Sequence, residues 1–222
     1  MGPDYDIRAH GDAALLVVFG DSIDRGINDR VHAAAAAVRA SPQLGPGWHP
    51  PIPSYASLLV SYDALRLDYA EASTQLEGVL GQMPEPARDA HQGTVVEIAT
   101  RYGGDAGPDL EAVAQRTGLT PAQVVELHSS VVYRAYMLGF APGFAYLGEL
   151  PAELELPRLL TPRQRVPAGS VAIAGRQTAV YPLATPGGWH LIGRTDAVMW
   201  DVTRFAPALI GAGDEVRFMP RA

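Results

Sequence analysis

Leu138-Gly139-Phe140-Ala141-Pro142-Gly143-Phe144-Ala145-Tyr146-Leu147-Gly148 opens the part of this 222-residue chain whose reading decides the fold. From Leu138 to Gly193 there are eight glycines and seven prolines in 56 residues. That share approaches the roughly 25–30% at which composition alone suggests disorder. The same stretch carries Phe140, Phe144, Tyr146, Tyr181 and Trp189, and the apolar run Val171-Ala172-Ile173-Ala174, enough to bury a core between tight turns. It therefore reads as a compact β barrel whose loops are built around glycine, with Ala208 to Phe218 as a closing hairpin.

Upstream, Thr94 to Arg101 and Val131 to Leu138 read as strands. Between them lie two short helices, the first opened by Asp109 and closed by Gly118 at the position that favours a left-handed residue. The second opens at Thr120-Pro121-Ala122-Gln123, a capping box with proline in the first turn. Further upstream, strands at Tyr5 to His10, Ala14 to Phe19 and Ser57 to Tyr62 alternate with two helices. Asp21 or Ser22 caps the first, with Ile23, Ile27, Val31 and Val38 on its apolar face, and Asp68 caps the second, through Leu80. Gly81 to Gly93 has linker composition. The chain thus reads as α+β: a small N-terminal α+β domain over residues 1–83, then a barrel domain over 84–222.

Composition narrows the function. Apolar residues make up 47% and charged residues 18%, as in an ordinary soluble globule, and no window has the ~20 apolar residues of a membrane helix. The N-terminus lacks the basic start and apolar core of a signal peptide, so a cytoplasmic location is the expectation. A formal charge of −7 without a basic stripe argues against nucleic acid. There is no cysteine, and all 17 Lys+Arg residues are arginine. Thiolate catalysis, Schiff-base lysines, Ser–Lys dyads and a Walker A lysine are therefore excluded on this chain. No histidine pair has metal-ligand spacing, so no metal held by this chain alone is expected.

The densest polar clusters are Thr161 to Ser170, Gly175 to Thr178 and Pro186 to Thr195. Glycines let backbone N–H groups approach an anion, and prolines fix the loops that present them. Arg165 and Arg194 are candidates to clamp a carboxylate or phosphoryl group, and Gln177 and Thr178 to hydrogen-bond an amide. Together these residues are expected to form one pocket for a small anion. His128, at the end of the second short helix, is the best general-base candidate; a cationic histidine stabilising the helix C-terminus is equally consistent with the sequence. His190 follows Trp189 on a tight loop and reads equally well as an exposed filler. Ser170 is no convincing nucleophile, since its flanks depart from Gly-x-Ser-x-Gly.

The segments Arg101-Tyr102-Gly103-Gly104, Gly107-Pro108-Asp109-Leu110, Leu127-His128-Ser129, Leu138 to Gly148 and the three polar clusters resemble the allophanate hydrolase subunit 1, KipI and PxpB family. The resemblance covers nearly the whole chain and is strongest from Thr94 onward. It implies a cyclophilin-like barrel and membership of an ATP-dependent 5-oxoprolinase complex that opens 5-oxoproline to glutamate. Implied partners are a homologous KipA/PxpC-type subunit and a LamB/YcsF (PxpA)-type subunit, with ATP at a site shared with or owned by a partner.

On that resemblance His128, Arg165 and Gln177 are the expected catalytic residues, and Arg163, Ser170, Thr178, Tyr181, Gly187, Gly188, Trp189 and Arg194 the expected substrate contacts. Arg176 departs from the family pattern, standing where a small residue is expected. The resemblance also admits allophanate hydrolase subunit 1 activity on a ureido or amide substrate, or a KipI-like inhibitor of a sensor histidine kinase.

Overall fold

A computed structural model describes residues 4–83 and 95–221. Two compact units, Met1–Gln92 and Gly93–Ala222, each have their own core. The boundary expected between Met83 and Pro84 falls at residues 84–94, outside the described residues.

In the first unit, β1 (Asp6–Ala9) and β2 (Ala14–Val18) are followed by α1 (Arg25–Ala40), β3 (Ile52–Pro53), β4 (Ser57–Ser61) and α2 (Tyr69–Leu80). The antiparallel sheet runs β1-β2-β4-β3. Period-two alternation puts Leu15 and Val17 of β2 and Leu58 and Val60 of β4 into one core. Val31, Ala34, Ala35 and Val38 of α1 and Ala72, Leu76 and Val79 of α2 complete it. Each fully buried leucine there contributes roughly 1.5–3 kcal/mol over an exposed one.

The expected start of α1 is corrected. Asp24 caps the helix, its carboxylate accepting from Ile27 N at 2.9 Å, and Ile23 lies outside it, exposed. Asn28, fully buried on α1, is satisfied by donating to the Ser54 and Tyr55 carbonyls. α2 has a full Asp68–Glu71 capping box, and Tyr69 in its first turn is 47% exposed.

The second unit runs β5 (Val95–Tyr102), α3 (Leu110–Thr117), α4 (Pro121–Ser130), β6 (Val132–Leu138), β7 (Ala145–Gly148), β8 (Arg163–Val166), β9 (Ser170–Ala174), β10 (Gln177–Val180), β11 (Thr185–Gly187), β12 (His190–Arg194) and β13 (Glu215–Arg221). Seven strands close a barrel in the order β10-β7-β6-β13-β5-β12-β9, and β8 and β11 form a separate two-stranded sheet. Every barrel strand contributes to one buried cluster, which is the interior; Leu110, Val113 and Val124 from α3 and α4 cap it.

The closing hairpin expected over Ala208 to Phe218 does not form. β13 instead lies between β5, to which it runs parallel, and β6, to which it is antiparallel. A parallel partner needs no adjacent turn, so local sequence gives no sign of it. The caps of α4 and α3 match the reading: Thr120 and Gln123 form the capping box, and Gly118 at φ +71° takes the left-handed position after α3.

Candidate functional site

Barrel strands β9, β10 and β12 are buried on both faces. Val171, Ile173, Val180 and Ile192 point inward, while Ala172, Ala174, Ala179 and Leu191 face a second cluster on the outer wall. The small alanines leave depth for an aromatic layer of Phe144, Tyr181 and Trp189, with Tyr146 packed against it. Phe144 meets Tyr181 edge-on at 5.4 Å and 83°, and Trp189 at 6.0 Å and 82°. Such tilted pairs suit the ring quadrupoles and make the layer rigid.

A cleft of about 220 Å³ opens in this layer. Phe140, Phe144, Tyr146, Tyr181 and Trp189 line it together with Pro162, Pro186, Gly187 and Gly188, and among the described residues Arg158 is its one charged lining residue. Gly187 is required by close approach, since a Cβ there would lie 2.3 Å from the Tyr181 hydroxyl oxygen. Phe140, 60% exposed, holds φ +69°, a left-handed conformation uncommon for a bulky residue. Burial pushes the Tyr181 hydroxyl up, against the lowering effect of the Arg158 charge and of a hydrogen bond from the Trp189 backbone.

Two polar links fix the Trp189 wall. The sequence offers Asp109 as the cap of α3, but its side chain makes no cap bond. Its carboxylate instead binds the Arg163 guanidinium at 2.5 Å and accepts from Leu191 N at 2.6 Å, and Arg163 also donates to the Trp189 carbonyl at 3.5 Å. His190, which the sequence allows as an exposed filler, is 2% exposed, and its Nε2 bonds the Pro157 carbonyl at 2.9 Å.

The barrel interior holds a different polar group. His128, fully buried on α4, packs on Phe218 at 4.6 Å between centroids. Its Nδ1 bonds the Tyr102 hydroxyl at 2.7 Å and its Nε2 bonds Thr178 Oγ1 at 2.8 Å. Thr178 donates its own proton to the Ala172 carbonyl, so it accepts from His128 Nε2–H, and Tyr102 donates to Nδ1. Desolvation lowers the His128 pKa to about 3, and burial raises those of Tyr102 and Tyr133. The ring is neutral, which replaces the expectation of a cationic histidine at the helix end, and it is fully buried.

The pocket expected from the polar clusters is not assembled as the sequence suggests. Tyr181, Gly187, Gly188 and Trp189 meet at the cleft, whereas His128 and Thr178 lie in the interior and Arg163 is engaged with Asp109. On β9, Arg194 pairs opposite Ser170 and Gln177 opposite Ala174. At ~3.3 Å per residue those positions are about 13 Å apart along the strand. Ser170 is buried, and Arg165 and Arg194 are exposed on β8 and β12. Alternation and strand length, invisible in the clusters as strings, cause this separation. Arg176 ion-pairs with Glu149 at 3.0 Å and does not line the cleft. Arg158 is absent from the residues the sequence singles out; its only signal there is a cation in a proline-flanked loop shortly before the first polar cluster.

Among the described residues, no group of three or more His, Asp or Glu side chains is arranged to hold a metal ion, and no helix is long and apolar enough to cross a membrane.

The fold and cleft define an α+β protein with a closed seven-stranded barrel carrying an aromatic cleft on its outer wall. The chain belongs to the family described as carboxyltransferase domain, subdomain C and D, whose model matches residues 5–210. It is 40% identical over 225 residues to the B subunit of 5-oxoprolinase from Bacillus subtilis (strain 168), covering 97% of this chain and 92% of that protein. It is 58% identical over 126 residues to the protein of the same name from Escherichia coli O157:H7, covering 57% and 58% of the two. Its structure matches the crystal structure of TTHA0988 with a TM-score of 0.82 and 38% identity, over 98% of this chain but only 40% of the length of that one.

Proposed function

We propose that this chain is the B subunit of a cytoplasmic, ATP-dependent 5-oxoprolinase complex, which opens 5-oxo-L-proline to L-glutamate. The observation that carries the reading is the 40% identity to the Bacillus subtilis protein along 97% of this chain. The cleft supports it: five aromatic side chains suit a small ring, and its about 220 Å³ suits a compact substrate rather than a nucleotide.

The chemistry follows from the stability of the amide. ATP transfers its γ-phosphoryl group to the lactam oxygen, releasing ADP. Water then adds to the activated carbon, the C–N bond breaks with the nitrogen protonated to leave an acyl phosphate, and a second water hydrolyses that acyl phosphate to the carboxylate and inorganic phosphate. On this chain Tyr181, Gly187, Gly188 and Trp189 shape the substrate site by excluding water and fixing orientation. His128, sealed in the interior, is left out of proton transfer in this proposal. We assign Arg165 and Arg194, both exposed, and Gln177 to groups brought by partners. The partners are a KipA/PxpC-type and a LamB/YcsF (PxpA)-type subunit, with ATP at a shared or partner-owned site.

The test is ATP-dependent glutamate release, measured for the chain alone and with those two partners. Turnover is expected only from the combination. Full turnover from the chain alone would remove the shared site, and none from any combination would remove the assignment.

A further inference from the structure

We propose that Arg158 is the anion anchor of the aromatic cleft, so that the cleft selects small ring compounds bearing one carboxylate. The inference rests on reading the cleft as the substrate site and names the residue that would choose among ring-shaped ligands.

Among the described residues, Arg158 is the one charged residue lining the cleft, with no Asp or Glu beside it in that lining. Its guanidinium carbon lies over the Trp189 ring, 5.9 Å from the centroid. This placement is built by the backbone on either side. The Pro157 carbonyl is bonded by His190 Nε2 at 2.9 Å, and Leu159 N donates to the Gly188 carbonyl at 2.7 Å. The residues flanking Arg158 are thereby tied to the residues flanking Trp189, which sets the cation on the ring.

Three other arginines of this unit are ion-paired, Arg163 to Asp109, Arg176 to Glu149 and Arg101 to Asp196. Arg158 forms no ion pair among the described residues. A guanidinium resting on a ring keeps its in-plane N–H groups for a second partner, and a carboxylate fits that fork. Tyr181 lines the same cleft, and burial, which raises its pKa, keeps a proton on its hydroxyl for donation. The about 220 Å³ of the cleft equals roughly seven water molecules at ~30 Å³ each, room for a small ring and its carboxylate.

Binding to the full chain is measured by NMR titration, following the Trp189 indole, with 5-oxoproline and cyclopentanecarboxylate as charged probes. 2-Pyrrolidinone is the neutral probe. Both carboxylates are expected to bind about tenfold or more tighter than 2-pyrrolidinone. Arg158→Gln removes that preference without changing the affinity for 2-pyrrolidinone, which also reports that the cleft is intact, and Arg158→Lys restores part of it. Equal affinity of charged and neutral probes for the wild type overturns the proposal, as does an equal loss for both in Arg158→Gln or the absence of any saturable shift at Trp189. Failure of glutamate release with carboxylate binding retained would strike the oxoprolinase reading and leave the anchor standing.

Discussion

The barrel interior and the cleft on its outer wall are both rich in aromatic rings, but they treat their polar groups in opposite ways. Inside, Tyr102, His128 and Thr178 form a closed chain that ends on the Ala172 carbonyl, each donor meeting an acceptor. In the cleft, five aromatic side chains surround the single charge of Arg158, whose contact within the chain is the face of Trp189. A buried polar group that is fully satisfied rigidifies a fold and has nothing left for a ligand. Chemistry belongs to groups the fold positions without consuming. His128 has the more reactive side chain, yet Arg158 is the one in a position to act.

The largest effects are expected where that closed chain is broken. His128→Ala removes a fully buried ring and leaves the Tyr102 and Thr178 hydroxyls without their shared partner, at a cost of about 3–5 kcal/mol. The same ring gives the interior a pH signature. With its pKa lowered by desolvation to about 3 in the fold, His128 stays neutral while the unfolded chain takes up its proton near 6.5. Its stabilisation is complete above about 6.5 and falls by about 1.4 kcal/mol per pH unit toward the lower value. Between pH 7 and 5 the wild type should lose about 2 kcal/mol that His128→Gln does not lose, read from urea unfolding. Equal losses would mean the ring reaches solvent and the contrast between the two regions is false.

Much of the fold was readable because its signals are local. The Thr120–Gln123 box, Gly118 after α3 and the apolar run of β9 each need only a few neighbouring residues. The larger departures came from partners distant in sequence, whereas the shift of the α1 cap from Asp21 or Ser22 to Asp24 is local. Asp109 has the right residue type and position for a cap, but Arg163, 54 residues on, claims its carboxylate. β13 finds its parallel partner at the other end of the unit. The site was legible in part for the same reason. Gly187, Gly188 and Trp189 come from one cluster and Tyr181 lies a few residues before it, whereas Arg158 reaches Trp189 only through the bonds at Pro157 and Leu159, which no local pattern announces.

A middle-sized effect should separate support of the cleft from its contents. Asp109→Asn keeps an acceptor for Leu191 N but removes the charge facing Arg163, at an expected cost of about 1–3 kcal/mol. Because Arg163 also donates to the Trp189 carbonyl, both charged and neutral probes should bind several-fold more weakly. The double variant Asp109→Asn/Arg163→Met leaves no orphaned charge and should recover much of the stability, without restoring the wall. Recovery of binding as well would show that the ion pair stabilises the barrel without shaping the cleft.

The smallest effect on stability is expected at Phe140. A left-handed conformation costs a residue with a Cβ roughly 1–2 kcal/mol, and Phe140 holds φ +69°. Glycine would remove that cost but raise the entropy of the unfolded chain by an amount worth roughly 0.5–1 kcal/mol. The ring is 60% exposed, so little burial is lost with it. Phe140→Gly should therefore unfold within about 1 kcal/mol of the wild type. Its ring nonetheless stands edge-on to Phe144 at 5.2 Å and Tyr181 at 6.2 Å, as one wall of the cleft. Cyclopentanecarboxylate and 2-pyrrolidinone should lose affinity by the same factor, since the wall contacts the ring of either and the charge of neither. Selective loss of the carboxylate would instead place the anion against the Phe140 turn, and a large drop in stability would make Phe140 part of the core.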